Sequence, residues 1–409
     1  MSALIRPFAA LRPTSRFAAE VAAPPYDVLT SDEARARAAG KPASFLHISK
    51  PEIDLPEGTD PHSAEVYAKA AENLVRMRDQ GVLTRDAKPS YYAWRMTMGA
   101  HAQTGIALTA SVAAYDVNRV RKHEFTRPDK EDDRVRQIEV LNAQTGPVLL
   151  AYPASAEIDA LLAAVTGAPP AVDIVADTGV RHELWNIADA ASIEVITNAF
   201  ERLPALYIAD GHHRSAAASR VAAARRTRDG EAGHEYFLAV AFPHHRMQIL
   251  PYHRVVKDLN GLTPEAFLAA VGQRFVVERS AVAVQPARPH EYGLYLAGQW
   301  HRLTIKPELV PGDPVARLDV SLLADRLLAP ILGITDPRRD PRIDFVGGIR
   351  GLPELERRVN SGEMRCAIAL HPTRMEDLMA VADSGQVMPP KSTWFEPKLA
   401  DGLLSHVLD

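Results

Sequence analysis

Ile208-Ala209-Asp210-Gly211-His212-His213-Arg214-Ser215 joins two runs of opposite character. Before it, Leu203 to Ala209 is short, apolar and led in by Pro204, the pattern of a buried strand. After it, Ser215 to Arg226 is dominated by Ala and Arg, which favour helix. The stretch therefore predicts a strand-to-helix turn. The first N–H groups of a helix have no partner within it and carry partial positive charge. Gly211 lets the chain turn tightly and lets a ligand approach the backbone. Arg214 carries a guanidinium fork that suits phosphate or carboxylate. A His pair or a Gly at a helix start is, taken singly, more often structural than functional. Their coincidence with Asp210 and Arg214 predicts an anion site, phosphate above all, with Gly211, Arg214 and Ser215 as binding groups.

The turn sits in a chain of 409 residues, long enough for two or three domains. With 46% hydrophobic and 24% charged residues the composition is that of a globular protein. A net charge of -4 argues against nucleic acid or an anionic membrane as partner. The lone cysteine, Cys366, excludes an intramolecular disulfide and fits a reducing compartment, so the expected location is cytoplasmic. It lies in the apolar run Met364 to Leu370 and is expected as a buried strand thiol. No run approaches the roughly 18 apolar residues of a membrane span. Met1 to Glu20 has the arginines of a transit peptide, but Pro7 and Pro13 break the helix that targeting needs. A first strand with Leu4, Ile5 and Phe8 apolar is expected there instead.

Helix and strand signals alternate, which predicts a mixed α/β (α+β) chain. Three regions are expected: 1–105, an N-terminal α/β region; 106–255, a core region holding the turn; and 256–409, a C-terminal α/β region. Helices are expected from Asp60-Pro61 to Gly81, over Ala191 to Phe200 and over Leu318 to Leu332, the last ended or kinked by Pro330. Strands are expected over Tyr91 to Met96, Gly105 to Tyr115, Val148 to Pro153 and Phe237 to Phe242.

Three further segments carry chemistry. Lys122 to Arg134 is the densest charge cluster, with Thr126 and Asp129 resembling a capping box and Pro128 suiting a first helical turn. Its i,i+4 pairs Asp129/Asp133 and Lys130/Arg134 are like-charged and repel unless an outside ligand or metal intervenes. Function and structure weigh evenly there. Ala23-Pro24-Pro25-Tyr26-Asp27-Val28 is a rigid loop that reads first as a turn. Met388 to Lys398 presents Lys391, Ser392, Thr393 and Lys398 to a phosphate or carboxylate, or else straps Trp394 and Phe395 onto the fold. Asp344 to Gly351 is a tight turn before it is a ligand loop, and HExxH, paired CxxC and GxSxG motifs do not occur.

These motifs, Pro24 to Val28, Lys122 to Arg134, Ile208 to Arg214 and Met388 to Lys398, resemble the bacterial domain-of-unknown-function family 1015 over essentially the full length. That family lends no settled activity. More loosely, Leu206 to Ala217 resembles the phosphate-binding turn of the ParB/sulfiredoxin superfamily, nearest the free serine kinases, which share Asp-Gly-His-His-Arg. The resemblance implies a ParB/sulfiredoxin-like element embedded in a larger mixed-sheet protein. It also implies a nucleoside di- or triphosphate (ATP or ADP) on the turn and Mg2+ as cofactors. The turn lacks the cysteine of sulfiredoxins, and no DNA-reading module follows it.

The expected function is a nucleotide-dependent phosphotransferase acting on a small hydroxyl metabolite such as serine. Arg214 and the amides around Gly211 would hold the transferring phosphate, and His212 and His213 would add donors. Asp210 would bind the metal or orient the histidines, and Glu124 would be general base. Arg127 and Lys130 would steady phosphate or substrate carboxylate, and Lys391, Ser392 and Thr393 would close the site. Phosphoryl transfer asks mainly for such positioning and charge neutralisation. Two alternatives stand beside it: a non-catalytic nucleotide-binding switch or partner-binding protein of the ParB-like type, and a metal-dependent phosphoesterase using His212 and His213. Small molecule and nucleotide are the expected partners, and a homo-oligomer stays open.

Overall fold

The computed structural model describes residues 3–226 and 232–409. It divides into two compact units, Met1–Met247 with Pro397–Asp409, and Gln248–Glu396. Both are mixed α/β.

The first unit is built on a nine-stranded sheet. Its order runs Val120–Arg121, Leu206–Asp210, Val148–Tyr152, Tyr236–Pro243, His101–Ser111, Tyr91–Met98, Arg181–Ile187, Val172–Val175, with Ile5–Arg6 added against His101–Ser111. Two pairings are parallel, Leu206–Asp210 with Val120–Arg121 and Tyr236–Pro243 with Val148–Tyr152. Central strands such as Tyr236–Pro243 and Val148–Tyr152 are buried throughout, so they read as unbroken apolar runs rather than alternating ones. The N-terminal strand forms as Ile5–Arg6, while Met1 and Ser2 lie outside the described residues.

Several boundaries move for local reasons. The strand expected over Gly105 to Tyr115 spans His101–Ser111, because the Ser111 side chain accepts from Ala114 N and starts a helix, Val112–Asp116. Asp60 does not cap a helix directly: its carboxylate takes His62 N at 3.0 Å in a turn, and the helix runs Ala64–Asp79. The last-region helix is regular only over Asp319–Leu323 and widens to a π turn over Ala324–Leu328, just before Pro330.

The second unit carries a six-stranded sheet in the order Phe275–Ser280, Gln299–Ile305, Glu291–Leu296, Cys366–Leu370, Tyr252–Val256, Ile343–Gly347. Every pairing is antiparallel. Helix Gly351–Asn360 covers it through Leu355. Cys366 is buried in its strand as expected, and burial pushes its thiol up to about 12.

Candidate functional site

The Leu206–Asp210 strand ends in a bulge. Ile208 pairs with Leu150 and Asp210 with Leu149, so Ala209 is an extra residue that re-aims Asp210. Gly211 follows at φ +98°, ψ 28°, a left-handed conformation that suits glycine, and helix His212–Arg225 starts at once. Ala216, Ala218 and Ala222 are buried, and such small side chains let the helix lie close to the sheet. Its other flank packs Ala217 and Val221 against Ile138 of the Pro128–Leu141 helix. The predicted turn is present, and packing on two sides fixes its direction. The first backbone donor within the helix is Ser215 N, to Gly211 O at 3.0 Å. The amides of His212, His213 and Arg214 precede it and have no acceptor in the helix.

The charged groups form a ring. Arg214 donates to the Pro147 carbonyl and lies 3.8 Å from Asp210 and 4.0 Å from Asp27. Burial opposes its charge, but Asp27 and Asp210 outweigh that and raise its pKa. Asp210 accepts from Gly211 N at 3.0 Å and from Lys398 Nζ at 3.2 Å. Burial works against its carboxylate, yet Lys398 and Arg214 hold it well below the usual range. Arg134 stacks over the Tyr26 ring at 3.8 Å and pairs with Asp133 at 2.7 Å. Burial of Tyr26 pushes its hydroxyl up to about 12. A cavity of about 30 Å³ lies among Tyr26, Arg134, Gly146, Arg214 and Asp401, room enough for water.

Two expectations about the charge cluster are corrected by these partners. Thr126 is not the cap of the Pro128–Leu141 helix: Arg127 occupies the cap position, and the Thr126 hydroxyl bonds Glu131. The like-charged pairs do not stay unscreened. Asp129 is held by Arg127 at 2.8 Å, Asp133 by Arg134 and the Tyr67 hydroxyl, and Arg134 by Tyr26.

Histidines form the other side of the turn. His212 is buried, its Nε2 faces the His123 amide at 3.4 Å, and its Nδ1 lies 3.6 Å from Glu124. The His123 and His212 rings meet edge to face, 4.5 Å between centroids. Burial pushes His123 down to about 4 and His212 well below its ordinary value, so both imidazoles are neutral at pH 7. His213 Nε2 accepts from Arg127 N at 3.1 Å, and partial burial lowers its pKa too. The turn thus gathers Glu124, Arg127, Asp210, Gly211, His212, His213 and Arg214. Phe125, beside Glu124, is 79% exposed.

Other expected site residues are placed differently. The Ser215 hydroxyl is fully buried and donates to the carbonyls of His212 at 3.0 Å and Gly211 at 3.4 Å, turned into its own helix. The Arg127 guanidinium is taken by Asp129. Lys130 sits half-buried in the first turn of its helix. Lys391, Ser392 and Thr393 belong to the second unit. There Lys391 lies over the Tyr252 ring at 5.4 Å, and the Ser392 hydroxyl donates to the Pro389 carbonyl at 2.5 Å. Trp394 also packs on Tyr252, 5.0 Å between centroids, and Phe395 is buried, so this segment straps aromatics onto its own unit. Asp401 was not singled out from the sequence, while Asp27, His123 and Lys398 lay in motifs read there without being placed at this turn. Pro24-Pro25 in front of Asp27, and Lys398 at the end of a lysine- and hydroxyl-bearing segment, were the available signals.

A resident Mg2+ does not fit these residues. Mg2+ wants oxygen donors in near-octahedral array. The Asp210 oxygen faces two cations, and among the described residues the donor atoms that converge come from His123, Glu124 and His212.

Asp401 gives the ring a pH dependence. It is buried, and burial, with Asp27 adding to it and Arg214 opposing, raises its pKa from 3.8 to about 7. The folded state therefore keeps a proton that the unfolded chain gives up. Its stabilising contribution is complete below the unfolded value and is lost as pH climbs through about 7. Asp401→Asn should match the parent at about pH 4 and exceed it by a few kcal/mol at about pH 8, read from urea midpoints. Equal gains at both pH values would count against a neutral buried carboxyl.

The family model described as protein of unknown function (DUF1015) matches residues 5–321. A comparison with curated proteins finds no match. Among solved structures, a free serine kinase in complex with AMP is similar at 13% identity and TM-score 0.36, covering 75% of this chain and 91% of that one. A conserved hypothetical protein from Pyrococcus furiosus is similar at 13% identity and TM-score 0.34, covering 73% and 94%. C-terminally truncated SbnI from Staphylococcus aureus is similar at 11% identity and TM-score 0.36, covering 72% and 85%. These values mark a distant likeness.

Proposed function

The chain belongs to the DUF1015 family, and for this member we propose a nucleotide-dependent phosphotransferase that acts on a small hydroxyl metabolite, serine being the type of acceptor. One observation carries the reading: three successive amides, His212 to Arg214, stand at the start of a 14-residue helix behind a left-handed Gly211. Amides so placed attract the oxygens of a phosphate, and the helix dipole adds to that attraction. The ring of charges behind them supports the turn. Arg214 holds Asp27 and Asp210 in place as much as it offers charge to a ligand.

Glu124 is the group for the acceptor proton. Its carboxylate is exposed and lies 3.6 Å from His212 Nδ1. Because His212 Nε2 faces an N–H donor, the ring proton belongs on Nδ1, directed at Glu124. In the transfer, the acceptor oxygen bonds the terminal phosphorus and its proton passes to Glu124. The bridging P–O bond breaks, and the nucleotide leaves one phosphate shorter. The exposed ring of Phe125 offers the base an aromatic face.

The protein mixed with Mg2+, a panel of nucleoside di- and triphosphates and a pool of hydroxy metabolites should give a new phosphoester resonance by phosphorus NMR. Release of inorganic phosphate alone would favour a phosphoesterase. Binding with an unchanged spectrum would contradict transfer and favour a switch. One observation favours that second reading: Asp27 is exposed and only 4.0 Å from Arg214, so a phosphate drawing on Arg214 would compete with the Pro24 to Val28 loop. Glu124→Gln separates the two. A kinase loses turnover and keeps nucleotide affinity, whereas a switch keeps its response.

A further inference from the structure

We propose that His123, Glu124 and His212 form a binding site for a first-row transition-metal dication of the Zn2+, Co2+ or Mn2+ type. The inference shares Glu124 and His212 with the phosphotransfer reading but needs no nucleotide, and it describes a metal-bound state in which Glu124 is a ligand rather than a base. One donor atom from each residue lies within 4.8 Å of the others. His212 Nδ1 and Glu124 Oε2 are 3.6 Å apart. Two ligands held about 2.1 Å from one metal at tetrahedral or octahedral angles lie about 3.0–3.4 Å apart, so the His212–Glu124 pair needs to close by only a few tenths of an ångström.

His123 supplies the independent observation. The residue is 2% exposed, and its Nδ1 has no hydrogen-bond partner. A buried polar atom left unpaired is costly, and an ion is one of the few things that account for it. The ring also bonds the Ile208 backbone. Nδ1 is the nitrogen without a partner, so it is the one open to a ligand. Metal-ligating histidines are held in this way, one nitrogen to the metal and the other to a carbonyl. On His212 the contact of Nε2 with the His123 amide is long, 3.4 Å. Ligation through Nδ1 moves the ring proton to Nε2 and gives that contact up.

Two imidazoles and one carboxylate select against Mg2+ and for borderline metals. Three protein ligands leave positions open for water or a phosphate oxygen, the pattern of reactive rather than structural sites. The site adjoins the first turn of the His212–Arg225 helix, so an anion on the metal would also meet the helix amides.

The test uses the full chain stripped with chelator, with no nucleotide present. Co2+ should bind saturably at one per chain, with visible absorption bands of an imidazole-ligated ion, and Zn2+ should displace it. Mg2+ measured by calorimetry should bind at least a hundredfold more weakly. Glu124→Gln, at an exposed position, should keep the metal-free melting temperature and weaken Co2+ at least tenfold. His123→Gln should abolish the bands. Absence of saturable binding, unchanged affinity in Glu124→Gln and His123→Gln alike, or Mg2+ binding equal to Co2+ would each overturn the site. Failure of phosphoryl transfer in a protein that binds Co2+ as expected leaves the site standing, so the two readings fail separately.

Discussion

Arg214→Met is expected to destabilise the protein by about 3 kcal/mol and to weaken nucleotide binding roughly ten- to hundredfold. The side chain is 10% exposed and lies against two carboxylates and a carbonyl oxygen. Removing Arg214 strips a carbonyl and two carboxylates of their buried cation, but Asp27 and Asp210 are 45% and 34% exposed, so water offsets part of the loss. Lys398 remains on Asp210 at 3.2 Å, so the loss should fall toward the lower end of what such removals cost. Adding Asp27→Asn should recover part of the stability but none of the affinity. Urea denaturation and calorimetry with ADP check the two halves. A stable variant with parental affinity would remove Arg214 from both roles.

Gly211→Ala should cost about 2–3 kcal/mol and lower nucleotide affinity beyond what the stability loss explains. The residue sits at φ +98°, and an added Cβ would lie 3.3 Å from Val148 Cα and 3.2 Å from Arg214 Nε. Val148 Cα belongs to the neighbouring sheet strand and yields little, so the turn itself must shift and the three amides with it. Gly40→Ala is the control. It has a similar φ of +74° but nothing within 4 Å of the added carbon, so it should pay the backbone strain alone, about 1 kcal/mol. Equal melting temperatures for the two variants would contradict the close packing at Gly211.

Much of the turn was legible because its signals are local. An apolar run, a glycine and an alanine-rich run fix strand, turn and helix within about 20 residues. Their observed limits are Leu206–Asp210 and His212–Arg225. Boundaries failed where a side chain changed the backbone's partner, as Ser111 does by capping Val112–Asp116 and Asp60 by closing a turn ahead of Ala64. The ring behind the turn was not legible. Asp27, Arg134, Arg214, Lys398 and Asp401 come from well-separated segments, and only the folded chain brings them together. Like charges at Asp129/Asp133 and Lys130/Arg134 suggested an outside ligand, because the sequence does not reveal that Tyr67 and Tyr26 supply the missing partners. Ser215 looked like a phosphate ligand by position, but in a helix its hydroxyl has carbonyls one turn back to bond, and it takes them. His123 stood in the Lys122 to Arg134 motif with no role of its own. It gains meaning only from the Ile208 carbonyl on one side and His212 on the other.

The central claim is that the amides at the start of the His212–Arg225 helix hold phosphate. It is tested most directly by following the backbone amide resonances of His212, His213 and Arg214 as ADP is added to the isotope-labelled full chain. They should shift together and saturate at the affinity measured by calorimetry, and Gly211→Ala should suppress both. ADP binding that leaves those three resonances where they were would contradict the account.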